Sequence, residues 1–331
     1  MSHARFARAG RLGVGLMLVL AGLALPDAGW GQGLERLFYY VDRESSFDSF
    51  REHVGDIDIV APVAYSVDED GVVWGEVDPV LVRLAREHDI AVMPLIHNPG
   101  FDQEMLHGLL ESDAARERTI ASLVELCRRH GFDGIQFDFE NLHMNDRDAF
   151  TAFYREAAEA LHEAGFRISI AVVHRPDALP GPTRYHKWIF KNWRAGYDLE
   201  ALAEAGDFVS VMSYSQHTRR TPPGPQASVA WAREVAAYFL EHMAPEKLSL
   251  GIPLGSQHWY TSQEDAIDPE RARSYSESLS HRRATTLVER YGGEVLWSEA
   301  HQVPYAFYQR GGTWEWIFME DERSFGAKLE L

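Results

Sequence analysis

With one cysteine, Cys127, among its 331 residues, the chain cannot close an internal disulfide. Leu123 stands one helical turn before it and Gly131 shortly after, so a small buried thiol inside a helix is expected. A reactive thiol needs an electropositive, exposed setting. Basic side chains are also scarce: 32 Lys and Arg stand against 50 Asp and Glu, a formal net charge of −18. Such a surface repels nucleic acid and anionic lipid, which are bound through Lys/Arg clusters. The sequence has no glycine-rich phosphate loop, no Gly-x-Ser-x-Gly elbow, and no His-x-His or His-Glu-x-x-His spacing. A nucleotide-binding open sheet, a serine esterase and a zinc hydrolase therefore lack their usual anchors. No cofactor is expected.

Long apolar runs are missing too. The longest uncharged one, residues 12–25, is shorter than the ~20 residues a spanning helix needs. It follows Arg5, Arg8 and Arg11 and precedes Pro26, Asp27, Ala28 and Gly29, the order of a secretory signal peptide. Residues 1–31 are expected to be that leader, and residues 32–331 the mature domain. No cysteine near the end of the run offers a lipoprotein anchor. The expected location is the periplasm or the extracellular medium, without stable membrane insertion after cleavage.

What is present is alternation. Apolar, β-rich runs recur at residues 37–41, 57–65, 91–96, 134–139, 168–173, 208–214 and 248–254. Helix-like stretches at 79–88, 114–130, 147–164 and 228–242 lie between them, with Asp146 and Ser228 as N-caps and Gly165 as a stop. Near-continuous apolar strands separated by helices imply a parallel sheet covered by helices. So many repeats favour a (β/α)8 TIM barrel over an open sheet. After Leu254 the pattern changes to a helix at 280–291 and strand-like runs at 294–297, 305–309 and 314–318. The last two are joined by Arg310-Gly311-Gly312, a hairpin turn. This reads as a small α+β insertion over about 259–320. The residues up to Leu331 read as the helix before an eighth strand, so the strands counted stop one short of closure and leave edges at strands one and seven.

The chemistry is concentrated in Phe132-Asp133-Gly134-Ile135-Gln136-Phe137-Asp138-Phe139-Glu140-Asn141. Side chains alternate faces along a strand, so Ile135, Phe137 and Phe139 share one face and Gln136, Asp138 and Glu140 the other. In a barrel strand the apolar face meets helices and the polar face lines the interior. Carboxylates placed there need hydrogen bonds or a chemical task. Glu140 falls at the C-terminal end, where barrel active sites are built. An ionised Asp138 beside it should raise its pKa, and a carboxylic acid protonated near neutral pH can protonate a leaving oxygen. No second carboxylate is placed to act as nucleophile. A substrate acetamido oxygen can fill that role, with Asp138 orienting it, which requires an N-acetylated sugar.

The same segment resembles the DxxDxDxE signature of family 18 glycoside hydrolases, in the branch of spore-cortex-lytic and di-N-acetylchitobiase-like enzymes, where an amide such as Gln136 often replaces the middle aspartate. Met212-Ser213-Tyr214 resembles the family's Met-x-Tyr, and Gly251-Ile252-Pro253-Leu254 its strand-seven turn. Pro222-Pro223-Gly224-Pro225 and Glu320-Asp321-Glu322-Arg323-Ser324 also look like this branch. The resemblance implies Glu140 as general acid/base, Asp138 as the acetamide-orienting carboxylate, Tyr214 as the acetamide's partner and Gln136 as an assisting group, with Met212 beside them. Asp133 is read as structural, because its parity puts it off the catalytic face. Many relatives carry an acid directly after the tyrosine, where this chain has Ser215.

Tyr39, Tyr65 and Trp259 sit at or just beyond predicted strand ends and are candidate platforms for sugar rings, although aromatics mostly bury area. Tyr260, Trp188 and Trp193 are further candidates. His97, His174 and His217 each follow a strand, which makes a metal triad imaginable and cleft-lining hydrogen bonds the plainer expectation. The leading reading is a hydrolase of β-linked N-acetylglucosamine-containing glycans of peptidoglycan or chitin type. The alternatives are a non-catalytic glycan-binding protein on the same barrel and an unrelated metal-dependent barrel hydrolase.

Overall fold

A computed structural model describes residues 34–218, 221–261 and 274–331. The expected leader, residues 1–31, lies outside the described residues. Seven strands run parallel in chain order: β1 (Leu37–Tyr40), β2 (Ile59–Val67), β3 (Leu95–His97), β4 (Gly134–Asp138), β5 (Arg167–Val173), β6 (Phe208–Met212) and β7 (Leu248–Leu250). This is the (β/α)8 class of fold. Among the described residues no strand joins β7 to β1. Residues Arg36–Leu331 form one compact unit.

Local sequence sets the helices between the strands. The helix Asp113–His130 starts on Ser112, whose hydroxyl accepts from Ala115 N, and stops at Gly131, whose left-handed backbone (φ 67°) suits glycine. Ser228 caps the helix Val229–Leu240 as expected, by accepting from Trp231 N. Asp146 does not cap the helix Arg147–Glu163: its carboxylate is drawn away to His107 Nδ1, 2.8 Å off. Helices at Glu44–Glu52, Gln103–Glu111, Arg184–Ile189 and Leu199–Ala205 were not foreseen, being short and weakly periodic.

The packing follows strand parity. Phe137 and Phe139 meet the helix Arg147–Glu163, with centroids 5.5 Å from Phe153 to Phe137 and 5.9 Å from Phe150 to Phe139. All four rings are fully buried. On the interior side, Ile59, Met93 and Phe208 plug the N-terminal end of the sheet, with Leu37 and Ala91 against them. Above this plug the inward positions turn small: Ala61, Ser169, Ala171 and Ser210, all buried. The room they leave is occupied by Gln136, whose Nε2 donates to Ser169 Oγ (3.1 Å) and Ser210 Oγ (3.3 Å).

Parity breaks once, in β2. Its pairing with β3 slips between Val63 and Tyr65. Such a bulge turns the following residues to the other face. Tyr65 and Val67 join the helix-side core, and Ser66 faces inward to His97 Nε2 at 3.3 Å. The short strand Val73–Gly75 pairs with β2 here, and Gly75 (φ 134°) lies so close to Ala64 O that a Cβ would collide with it.

A second sheet is antiparallel: β8 (Ser256–Thr261), β9 (Ser274–Leu279), β10 (Glu294–Ser298), β11 (Val303–Arg310) and β12 (Thr313–Phe318), ordered β9-β8-β12-β11-β10. Gly311 (φ 59°) and Gly312 (φ 84°) make the two-residue turn read from the sequence. The helix His281–Arg290 covers one face, packing Ala284 and Val288 on Ala306, Tyr308 and Ile317.

Candidate active site

Phe139 points outward into the helices, which leaves Asp138 and Glu140 on the inner side at the C-terminal end of β4. The expected strand ran to 139, but ladder pairing stops at Asp138. Glu140 is therefore held by other means. Asn98, fully buried just beyond β3, accepts from Glu140 N (3.0 Å) and donates to Glu140 O (2.9 Å). Tyr197 OH donates to Phe139 O at 2.7 Å. The next residue, Asn141, takes a left-handed backbone (φ 55°), tolerated best by glycine and asparagine. Its carbonyl accepts from Gln103 Nε2 (2.7 Å), and its amide donates to Phe101 O (2.9 Å). The main chain on both sides of Glu140 is thus fixed by five hydrogen bonds.

Tyr214 is set by a comparable device two strands away. Its N–H bonds back to Met212 O (2.9 Å), and Ser215 after it is left-handed (φ 64°). Ser213 Oγ donates to Gly251 O at 2.6 Å. Gly251 leaves room for the Tyr214 ring, since a Cβ there would lie 2.6 Å from Val211 O and 3.3 Å from Tyr214 Cε1. Met212, half-buried, ends β6. Tyr39 is 40% exposed because β1 is an edge strand, yet its hydroxyl sits beside Ser210, Gln136 and Asp138.

These groups share one electrostatic environment. Burial pushes the Asp138 carboxyl up to about 6. Burial, and then the charge of Asp138, pushes Glu140 up to about 8. Burial is thus the larger cause for Glu140, ahead of the charge effect anticipated from spacing. The Tyr214 hydroxyl is raised by burial, with Tyr39, Asp138 and Glu140 adding to it. Asp138 Oδ1 and Gln136 Oε1 are sealed from solvent with no hydrogen-bond partner among the described residues. Each such acceptor costs about 1–3 kcal/mol, and native proteins keep such groups where they have a task.

Gln136, Asp138, Glu140, Tyr214, Met212 and Tyr39 therefore converge at one end of the parallel sheet. Two expected platforms do not. Tyr65 is 1% exposed, turned to the core by the bulge in β2 and packed on Phe132 at 6.2 Å. Trp259 is also 1% exposed. It belongs to β8 of the second sheet, where it packs with Val303 and Phe318 and donates Nε1–H to Gly224 O. Neither has a ring face for a sugar. Asp133 is structural as read, accepting from Val92 N at 2.8 Å.

The histidines are engaged separately. His174 lies between Met212 O and Arg194 and is pushed down to about 3 by burial, with Arg194 adding to it. His217 faces Pro222 O. No cluster of three His, Cys, Asp or Glu side chains able to hold a metal occurs among the described residues. The Cys127 thiol is buried and pushed up to about 12 by that burial. Trp193 packs on Phe101 at 5.8 Å, beside the Asn141 clamp, while Trp188 is half exposed and stacked on Tyr185. The residue that sequence reasoning missed is Asn98. The one signal for it was a polar residue directly after a strand, in His97-Asn98-Pro99-Gly100.

Comparisons with known proteins place this arrangement. Residues 67–331 match the model of the glycosyl hydrolases family 18, so the chain belongs to that family. The cortical fragment-lytic enzyme of Bacillus subtilis is 29% identical over 241 residues, covering 71% of this chain and 52% of the relative. The Bacillus anthracis protein of the same name is 24% identical, covering 72% and 52%. The chain thus spans about half the length of these relatives. The crystal structure of a Chromobacterium violaceum chitinase shares the fold at a TM-score of 0.77 and 22% identity, with 88% of each chain covered. The spore cortex-lytic enzyme SleL of Bacillus megaterium does so at 0.76 and 22%, over 89% of this chain and 67% of that one.

Proposed function

We propose that this family 18 chain is a retaining glycosidase cleaving β-linked N-acetylglucosamine-containing glycans of chitin or peptidoglycan type. The observation that carries the reading is the pair on β4. Asp138 and Glu140 share the inner face at the rim, with carboxyls pushed up to about 6 and about 8. Near neutral pH Asp138 is then largely ionised while Glu140 keeps its proton, the division of labour an acid-catalysed glycoside cleavage needs.

In the first step Glu140 gives its proton to the leaving oxygen as the glycosidic bond breaks. The acetamido oxygen of the same sugar attacks the anomeric carbon and forms a cyclic oxazolinium ion. The unpartnered Oδ1 of Asp138 is placed to accept the acetamide N–H and to balance the positive charge. Tyr214 donates its hydroxyl to the acetamide oxygen and so aligns it for attack. In the second step water attacks the anomeric carbon, Glu140 takes the water's proton, and two inversions give retention. Gln136 and Tyr39 hold the base of the site below Asp138.

The order of residues 5–29 supports export, with residues 32–331 as the mature enzyme and about 259–320 as an insertion on its barrel. Among the described residues no helix is long and apolar enough to cross a membrane. The test is Glu140→Gln. Release from a fluorogenic chitobioside is expected to fall about 10²–10⁴-fold, with an unchanged circular dichroism spectrum. Undiminished turnover would remove Glu140 as the acid. Binding of N-acetylglucosamine oligomers by the wild type without any cleavage would instead favour a lectin.

A further inference from the structure

The second sheet has two unlike faces. One is sealed by the helix His281–Arg290. The other carries a row of rings across β11 and β12. Trp316 pairs with Phe307 and Phe318 with Tyr305, while Trp314 neighbours Phe307. Centroids along the row are 5.6 Å (Trp314–Phe307), 5.0 Å (Phe307–Trp316), 6.3 Å (Trp316–Tyr305) and 6.0 Å (Tyr305–Phe318).

Burial along this row is graded. Trp314 is 55% exposed and Trp316 36%, Tyr305 and Phe307 are half-buried, and Phe318 is buried. The buried end meets the loop that follows Tyr214: His301 lies 6.1 Å from Phe318 and 5.9 Å from His217. The row therefore starts beside the Tyr214 loop and runs outward, ~13 Å along β12 at about 3.3 Å per residue. Contiguous exposed rings are uncommon on a soluble surface and mark a binding site. Gln309, on the same face as Phe307, adds an exposed amide next to the rings.

We propose that this ring row is a second glycan-binding surface, continuous with the Asp138–Glu140 site, that takes an uncharged N-acetylated polymer strand. Flat rings match the C–H faces of pyranose rings, and neighbouring amides match their hydroxyls. The net charge of −18 disfavours an anionic occupant. The length of the row suits a polymer rather than a single sugar. The inference rests on the glycosidase reading for its choice of ligand.

The experiment compares wild type, Trp314→Ala/Trp316→Ala, and Val295→Ala, an exposed position of the same sheet off the ring row. Turnover is measured on a soluble chitobioside and on chitin and purified peptidoglycan. Depletion onto the insoluble polymers is measured in a Glu140→Gln background. The double variant is expected to lose about tenfold in polymer affinity and in the ratio of polymer to chitobioside turnover. Val295→Ala should leave both at the wild-type level. Unchanged polymer binding in the double variant, with chitobioside still cleaved, would overturn the surface and leave the reaction standing. Polymer binding lost in the double variant, in a protein that cleaves nothing, would do the reverse. A wild type that dimerises through these rings and becomes monomeric in the double variant, with polymer binding intact, also overturns it.

Discussion

At the scale of single residues, the two carboxyls give the site a pH signature. Activity should rise through about pH 6 as Asp138 ionises and fall through about pH 8 as Glu140 loses its proton. A pH profile of kcat/KM measures both limbs. Asp138→Asn removes the charge that adds to burial at Glu140, so the alkaline limb should move down; an unmoved limb would refute that coupling. The same shift affects stability. The folded protein keeps a proton on Glu140 that the unfolded chain releases near 4.5. The stability this group contributes is full below about 4.5 and is lost as pH rises through about 8. Glu140→Gln cannot ionise, so it should match the wild-type Tm at pH 4 and exceed it at pH 9, by about 2–4 °C for each kcal/mol recovered. Asn98 acts one step back, as a positioning residue. Asn98→Ala leaves both main-chain groups of Glu140 unpaired, at about 1–3 kcal/mol each. Its kcat should drop on the order of 10²-fold through misplacement of the acid, with KM little changed. Asn98→Asp, which keeps the acceptor but not the donor, should fall between.

At the scale of elements, β4 was readable because nothing interrupts its alternation. Ile135, Phe137 and Phe139 went to the helices and Gln136 and Asp138 to the interior, and the alternation holds through Glu140 although pairing ends two residues earlier. The same rule misplaced Tyr65, because a slip between Val63 and Tyr65 leaves no mark in the composition of β2. Its only trace is downstream, in Gly75, where any side chain would strike Ala64 O. Gly75→Ala should lower stability by more than about 1 kcal/mol, since alanine is also strained at φ 134°; chemical denaturation reports it. Trp259 was misjudged for another reason. It follows β7 in sequence, but β8 leaves the parallel layer, and a change of sheet is not a local property. Asn98 was overlooked because its partners are main-chain atoms of a residue 42 positions away.

At the scale of the whole molecule, the helix Glu322–Leu329 joins the two sheets, packing on the helix Val229–Leu240 and on β11. It carries a buried ion pair: Lys328 Nζ lies 2.9 and 2.7 Å from the two Glu320 oxygens, and Ser324 Oγ donates to Glu320 at 2.7 Å. Removing one partner of such a pair strands the other. Lys328→Met should destabilise by about 3–5 kcal/mol at pH 7. The loss should shrink in acid, because burial already raises the Glu320 carboxyl and the lone acid would take up a proton. Equal losses at pH 4 and pH 7 would show that packing, not charge, is what Lys328 supplies. The edges of β1 and β7 bear on the same scale: backbone amides there lack a ladder neighbour and should exchange with deuterium sooner than those of β4 and β5.

The grip around position 140 has a further consequence. Asn98 and Tyr197 hold peptide groups and touch no atom of the glutamate side chain. A single codon change there can silence the reaction without disturbing the frame. A lineage could therefore trade an enzyme for a saccharide receptor in one mutational step, and an engineer could seat an unnatural side chain at the same spot.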